Sequence, residues 1–487
     1  MPSTMYEPVI GLEVHVEMLT KSKMFCACQV VDFTIASPNT AVCPVCAGHP
    51  GTLPVLNGLA VEYGLRVAAA LECEIAPISI FSRKNYFYPD LPKGYQITQY
   101  DQPLASNGKI TLITSRGEKI IHIRRVHLEE DTGKLTHIDV DGNSYSLVDL
   151  NRAGVSLLEI VTDPDFSTSE EVRAYAEALR ALVRYLGVNS GDLEKGVMRI
   201  EPNISVRPVG QQELGTKVEI KNLNSFRALE RGVAYEINRQ IELLRAGKEV
   251  IQETVGWDEA KQATFSQRSK EDAHDYRYFP EPDLPPLLVS KRWMDDVHRA
   301  LPELPWERSH RFSQDYGLSP AESWQLAAEK SLGEYFESVL KSAPGAAVRT
   351  VYAWVTGELL SLMNSSSTGF ETLKIEPKGL ADLLALISTG KINPNTGKIV
   401  LAEMFATGHS AAGIVEAGKL AQLSDQGFIA RLVAEMLIEN ASEVASYRAG
   451  KISVANFLFG QAMRKAGGKA NPQVLRSELE RQLQQPT

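Results

Sequence analysis

Four of the chain's five cysteines fall between positions 26 and 46, as Cys26-x-Cys28 and, fourteen residues later, Cys43-Pro-Val-Cys46. Two short-spaced thiol pairs on separate turns can converge as four thiolates in a tetrahedral array, the geometry that Zn²⁺ takes. Four protein ligands leave no open position, so a zinc held this way is structural. The competing reading is four unligated thiols in a reducing compartment. A disulfide scaffold is excluded, because five cysteines cannot staple 487 residues.

A second set of chemistry-bearing residues sits inside apolar runs. Residues 9–17, Val-Ile-Gly-Leu-Glu-Val-His-Val-Glu, alternate in polarity. As a strand they put Glu13, His15 and Glu17 on one face and Leu12, Val14 and Val16 on the other. His127-Leu-Glu-Glu-Asp131 gathers an imidazole and three carboxylates, and Glu159 lies within Leu157-Leu-Glu-Ile-Val161. A carboxylate among residues that favour burial needs a partner: a divalent cation is one, a neighbouring Arg or Lys the other. A solvated outer face accounts equally well for the first of these segments. Arg83-Lys-Asn-Tyr-Phe-Tyr-Pro-Asp90 places cations beside three aromatics, suited to a nucleotide or to a packed loop.

Near the C-terminus, residues 448–469 hold Arg448, Lys451, Arg464, Lys465 and Lys469 and no acid. In a chain of formal net charge −9 this is a local phosphate-contacting face or a solvated surface. The overall charge argues against a general nucleic-acid binder. No GxxxxGK[ST] loop, Rossmann glycine fingerprint or kinase loop set is present, so any use of ATP needs a less familiar fold.

The elements that must position these residues follow from periodicity. Short Val/Ile/Leu alternations at 9–16, 109–114, 119–126 and 217–221 read as strands, many antiparallel, and helices are expected at 59–71, 169–186 and 225–246. The first 290 residues are therefore expected to be an α+β cradle. Four prolines in Phe279-Pro-Glu-Pro-Asp-Leu-Pro-Pro-Leu287 bar a helix or central strand and mark a boundary. Helical spacing then predicts an all-helical domain over 291–408 and a small helical tail over 409–487. The length agrees with about three domains, and 44% hydrophobic with 23% charged residues is ordinary for a globular protein. Neither a signal peptide nor a long apolar run occurs, so the protein is expected to be cytoplasmic and unanchored.

Several ordered segments carry a family resemblance: Ile10-Gly-Leu-Glu-Val-His15, the 83–90 segment, Tyr95-Gln-Ile-Thr-Gln-Tyr-Asp-Gln-Pro103, His127-Leu-Glu-Glu-Asp131, Val148-Asp-Leu-Asn-Arg152 and Asp275-Tyr-Arg-Tyr-Phe-Pro-Glu-Pro-Asp283. With 215–226 and Ala470-Asn-Pro472, they resemble the GatB family of tRNA-dependent amidotransferase subunits over essentially the whole chain. The resemblance implies a kinase-like cradle, a helical domain and a tail that reaches the tRNA elbow. It also implies ATP-dependent activation of Glu-tRNA(Gln) or Asp-tRNA(Asn), with Mg²⁺ on His15, Glu130 and Glu159, and with Glu13, Lys84 and Tyr86 beside it.

By the same resemblance the cysteines match the zinc-bearing branch, and ammonia comes from an amidase A subunit braced by a small C subunit. Where many members read Arg-Cys-Asp-x-Asn, this chain has Arg199-Ile-Glu-Pro-Asn203, so Glu201 replaces the usual Asp. Two alternatives stand beside this one: a non-catalytic tRNA-docking scaffold, and the archaeal-type relative, whose extra inserted domain finds no room in the cradle segments.

Overall fold

The alternation at the N-terminus is realised as a twelve-residue strand, Tyr6–Glu17, at the middle of a nine-stranded sheet. The computed structural model describes residues 5–269, 275–421, 426–467 and 470–485. Across the sheet the strands run Ala263–Ser269, Glu253–Asp258, Val218–Lys221, Met198–Pro208, Tyr6–Glu17, Ser156–Thr162, Gly117–Glu130, Ala105–Thr114 and Glu74–Ile75. All neighbours pair antiparallel except Val218–Lys221 with Glu253–Asp258.

The pleat divides this sheet chemically. Leu12, Val14, Val16, Val126, Leu128, Leu158, Ile160, Ile200 and Ile204 are buried on one face. Helices Gly58–Ala70, Ser169–Tyr185 and Phe226–Arg245 pack against the sheet. Each of these helices starts at a side-chain cap, from Asn57, Thr168 and Ser225, worth about 1 kcal/mol apiece. The opposite face carries Glu13, His15, Glu159, His127 and Glu129. Register puts His15 opposite Glu159, and Glu159 opposite His127.

A three-stranded sheet, Phe279–Pro280, Phe81–Asn85 and Tyr95–Gln99, holds the aromatic segment. The proline-rich stretch thus contributes edge strands. Pro280 lacks an amide donor and is tolerated there, and Leu287–Leu288 pairs with Ile78–Ser79. The following helix, Lys291–Ala300, lies on Gly58–Ala70, where the Trp293 indole donates to Glu62.

The chain divides into two compact units, residues 1–308 and 309–487. The second unit's described elements are helices around two cores. Phe336, Val355, Leu380, Leu384, Val400 and Leu401 belong to one, and Ile429, Val433, Leu458, Leu475 and Leu479 to the other. One turn, Trp354–Leu359, widens to a π-helix around Gly357. A mixed sheet region followed by helices is the α+β class that the periodicity predicts. Among the described residues no helix is long and apolar enough to cross a membrane.

Candidate active site

Three adjacent strands supply the centre of the polar face. One ligand atom each of His15, Glu129 and Glu159 lies within 4.8 Å of the other two. His15 Nε2 is 3.5 Å and His127 Nε2 3.1 Å from Glu159 Oε2, and Thr98 Oγ1 donates to Glu129 Oε2 at 3.0 Å. The Nδ1 atoms of both histidines are buried and have no hydrogen-bond partner among the described residues. Glu129 and Glu159 are themselves buried.

Electrostatics describes a site that attracts positive charge. Burial, and then repulsion from Glu159, raises the Glu129 carboxyl above the usual range. Burial would do the same to Glu159, but the charge and hydrogen bond of His127, followed by His15, hold it well below. Burial alone would lower His15, yet its bond to Glu159 and the surrounding carboxylates carry it up to about 9. With their ligand atoms within 4.8 Å of one another, two buried carboxylates and an imidazole form a donor set that fits a divalent cation, which in binding would take the place of the imidazole proton.

Lys84 enters from the small sheet. Its ammonium lies 5.0 Å from the Tyr276 ring centroid and 5.9 Å from that of Tyr86. Burial opposes its charge, but Glu129 and, less strongly, Glu159 hold it above the usual lysine range. Tyr86 donates to Gln96 Oε1 at 3.2 Å and meets Tyr276 edge-on. Tyr276 in turn meets Tyr278, which stacks on Tyr100 at 4.0 Å and 5°. The result is a tyrosine wall beside the carboxylates.

Glu130, expected with His15 and Glu159, is not brought to them. It follows Glu129 on the same strand, so the pleat turns it away. Its carboxylate pairs with Lys93 and accepts the Ile97 amide at 3.0 Å. Glu129 occupies the place instead, and the period of two counted from His127 is the sequence signal that selects it. Tyr276, Tyr278 and Thr98 had no such signal.

Glu13 belongs to a neighbouring group with Glu201 and Glu219. Asn203 donates to Glu13 at 3.1 Å, and Lys221 lies 3.0 Å from Glu201 and 3.6 Å from Glu219. Burial would raise Glu201, but the charges of His15 and Lys221 take it down to about 2.

The four cysteines converge. Cys46 Sγ lies 3.8 Å from Cys43 Sγ and 3.9 Å from Cys28 Sγ, and all four sulfurs fall within 4.8 Å of one another. A tetrahedron of Zn–S bonds of about 2.3 Å has edges of about 3.8 Å, so the quartet fits. A hydrogen bond from Cys26, the Cys43 amide and the nearby Lys23 charge bring Cys46 down to about 4. Burial and the other sulfurs push Cys28 up to about 11. Lys23 is fully buried and donates to the carbonyls of Ala41 (2.8 Å) and Leu150 (3.2 Å) and to Cys46 Sγ (3.5 Å).

In the tail, Arg448 donates to the Gln485 carbonyl at 2.9 Å, and Lys465 pairs with Glu435 and Glu439. Lys451 and Arg464 are exposed, while Lys469 lies outside the described residues.

A family model described as the GatB/GatE catalytic domain matches residues 8–295, and one described as the GatB domain matches 334–483. The chain belongs to the GatB family. Its relatives include proteins named as the B subunit of aspartyl/glutamyl-tRNA(Asn/Gln) amidotransferase from three organisms. That of Dehalococcoides mccartyi (strain CBDB1) is 48% identical, the alignment covering 99% of this chain and all of the relative. Those of Myxococcus xanthus and Moorella thermoacetica are each 48% identical, over 99% and 98% of this chain and all of theirs. The GatB/GatE match spans every residue of the carboxylate face, the tyrosine wall and the cysteine quartet.

Proposed function

We infer that this chain is the B subunit in which ATP activates the side-chain carboxylate of a mischarged Glu-tRNA(Gln) or Asp-tRNA(Asn) for conversion to the amide. The observation that carries the reading is the buried Glu129–Glu159 pair, with two unpartnered imidazole nitrogens at its edge and the Lys84 ammonium held nearby by its charge. A docking scaffold gives no reason to bury such a cluster.

A carboxylate resists ammonia because oxide would have to leave. An oxygen of the substrate carboxylate attacks the γ-phosphorus of ATP, the bond to the β-phosphate oxygen breaks, and ADP departs from an acyl phosphate. Ammonia then attacks the acyl carbon, and phosphate leaves in place of oxide. His15, Glu129 and Glu159 would hold a Mg²⁺ ion, which when bound offsets charge on the transferred phosphoryl group. Lys84 adds a fixed positive charge that needs no reorganisation during transfer. Tyr86, Tyr276 and Tyr278 wall the site on the Lys84 side and offer faces for stacking. Glu13 is assigned a positioning part, through Asn203 and the Glu201–Lys221 pair.

The cysteine quartet is assigned a structural zinc, with Lys23 as outer donor to Cys46. Ammonia is assigned to an amidase A subunit, braced by a small C subunit, in a cytoplasmic heterotrimer. Arg448, Lys451, Arg464 and Lys465 of the tail are assigned to the tRNA backbone, with Lys465 weakest because two glutamates already answer its charge.

The test is ATP hydrolysis by the assembled complex, with and without Glu-tRNA(Gln). Stimulation by the tRNA that disappears in His15→Ala and Glu159→Ala, with assembly intact, supports the assignment. Normal hydrolysis by both variants refutes it.

A further inference from the structure

Two consecutive arginines on the Gly117–Glu130 strand meet different fates. The register slips there against Ser156–Thr162 and stays in step against Ala105–Thr114. Val161 faces Arg125 and Thr162 faces Ile123 on one side; Ser106 faces Arg125 and Gly108 faces Ile123 on the other. Arg124 is therefore the extra residue of a β-bulge, matched by Asn107, whose φ is +56°. Ile123 and Val126 are both buried on the helix-covered face. With two residues between them instead of one, both arginines turn to the polar side.

Arg124 is occupied by Asp163, at 2.8 Å. Arg125 shares a row with Val161 and Glu13, and among the described residues no carboxylate reaches it within ion-pair distance. Its Nε is buried and has no hydrogen-bond partner among the described residues. Its guanidinium lies 5.9 Å from the Tyr100 ring centroid, at the far end of the tyrosine wall from Lys84. A half-buried guanidinium with an unsatisfied Nε, beside a face otherwise rich in carboxylates, lacks an anion.

We propose that Arg125 receives the free side-chain carboxylate of the aminoacyl group and fixes it for attack on the γ-phosphate. This rests on the reading of the face as a carboxylate-phosphorylating site. The choice of carboxylate over nucleotide phosphate follows from placement. Lys84 and the Glu129–Glu159 cluster already offer positive charge, direct or metal-borne, at one end of the wall, whereas Arg125 stands half-exposed at the other. A planar guanidinium binds a carboxylate in two parallel hydrogen bonds, which a lysine cannot copy. In the transfer, one carboxylate oxygen forms the new O–P bond as the bond to the β-phosphate oxygen breaks. Arg125 keeps its protons and holds the other oxygen.

The test uses the assembled complex carrying Arg125→Ala, Arg125→Lys or, as control, Arg124→Ala. Three quantities are read: kcat/KM for Glu-tRNA(Gln) in ATP hydrolysis, the Kd for Mg-ATP, and the preference for Glu-tRNA(Gln) over its product Gln-tRNA(Gln). The last is measured with a non-hydrolysable ATP analogue. Arg125→Ala is expected to lower kcat/KM by about 10- to 100-fold and to erase the preference, with the Kd for Mg-ATP changed less than about twofold. Arg125→Lys recovers part of the loss, and Arg124→Ala keeps the preference.

A weakened Mg-ATP affinity with the preference intact would assign Arg125 to the nucleotide and overturn the proposal, as would unchanged kinetics. Absence of tRNA-stimulated hydrolysis in the unmodified complex is a different failure, that of the underlying reading.

Discussion

The Glu13–Glu201–Glu219 group and the His15–Glu129–Glu159 group lie on one face of the same sheet, yet among the described residues only the first has a lysine within ion-pair distance. Lys221 answers Glu201 and Glu219, and Asn203 and Thr254 satisfy further oxygens at 3.1 and 2.8 Å. That group is complete as it stands. The second group is edged by histidines whose Nδ1 atoms have no partner among the described residues, and it acts on Lys84 through its charge. A cluster of three carboxylates and one of two carboxylates with an imidazole thus differ in what they lack, and it is the incomplete one that has room for a cation and the phosphates it would carry.

The largest test of this contrast removes a carboxylate from each side. Glu159→Ala is expected to lower tRNA-dependent ATP hydrolysis by at least about 10²-fold, and Glu219→Gln by less than about tenfold, in steady-state assays of the complex. Equal losses would erase the distinction.

Next in size is the pair of neighbours on one strand. Glu129→Gln is expected to raise the Mg²⁺ concentration for half-maximal activity by about 10- to 100-fold. Glu130→Gln should leave that requirement alone. It should instead cost about 3 kcal/mol of stability in urea unfolding, because Lys93 loses a buried partner. A Mg²⁺ shift in the second variant would return Glu130 to the cation site.

Zinc chelation probes the other metal centre. It is expected to lower the Tm by about 5 °C while Mg²⁺-dependent hydrolysis at low temperature persists, as a structural site requires. Loss of hydrolysis before any unfolding would contradict this.

The smallest effect is expected from Lys221→Ala, which makes the complete group incomplete. Its side chain is 41% exposed, so the cost is about 1 kcal/mol after solvent screening. Glu201 is depressed to about 2, and the stability this contributes is present above the unfolded carboxylate range and lost as pH falls toward 2. The difference between variant and parent should therefore hold from pH 7 to 5 and shrink only below about 4.5. A difference that grows on acidification would exclude the Lys221–Glu201 pair as its source.

Much of this was readable from residue types and local period. Alternation over residues 9–17 separates the Leu12–Val14–Val16 face from that of Glu13, His15 and Glu17, and the pleat realises it. The cysteine spacing called for convergence, and the sulfurs converge. What escaped depends on partners distant in sequence. That Lys221 completes Glu201 follows from the pairing of two strands, and the turn of Arg125 from a bulge with no sequence mark. The resemblance implies Glu130, whereas the strand's two-residue period decides which of two adjacent carboxylates faces His15.

A single missing side chain governs how these parts are spaced. A Cβ on Gly133 would lie 2.9 Å from the Asp149 carbonyl oxygen and 3.1 Å from that of Asp90, and the Gly133 amide donates to the latter at 2.9 Å. Both obstacles are main chain, so no rotamer change relieves them. Gly133 follows the strand that bears Glu129, and Asp90 lies on the loop that leaves Lys84 and Tyr86. The tolerance on the distance between the lysine's charge and the carboxylates is thus set at a hydrogen atom three residues past Glu130, where even one methyl group would act as a shim.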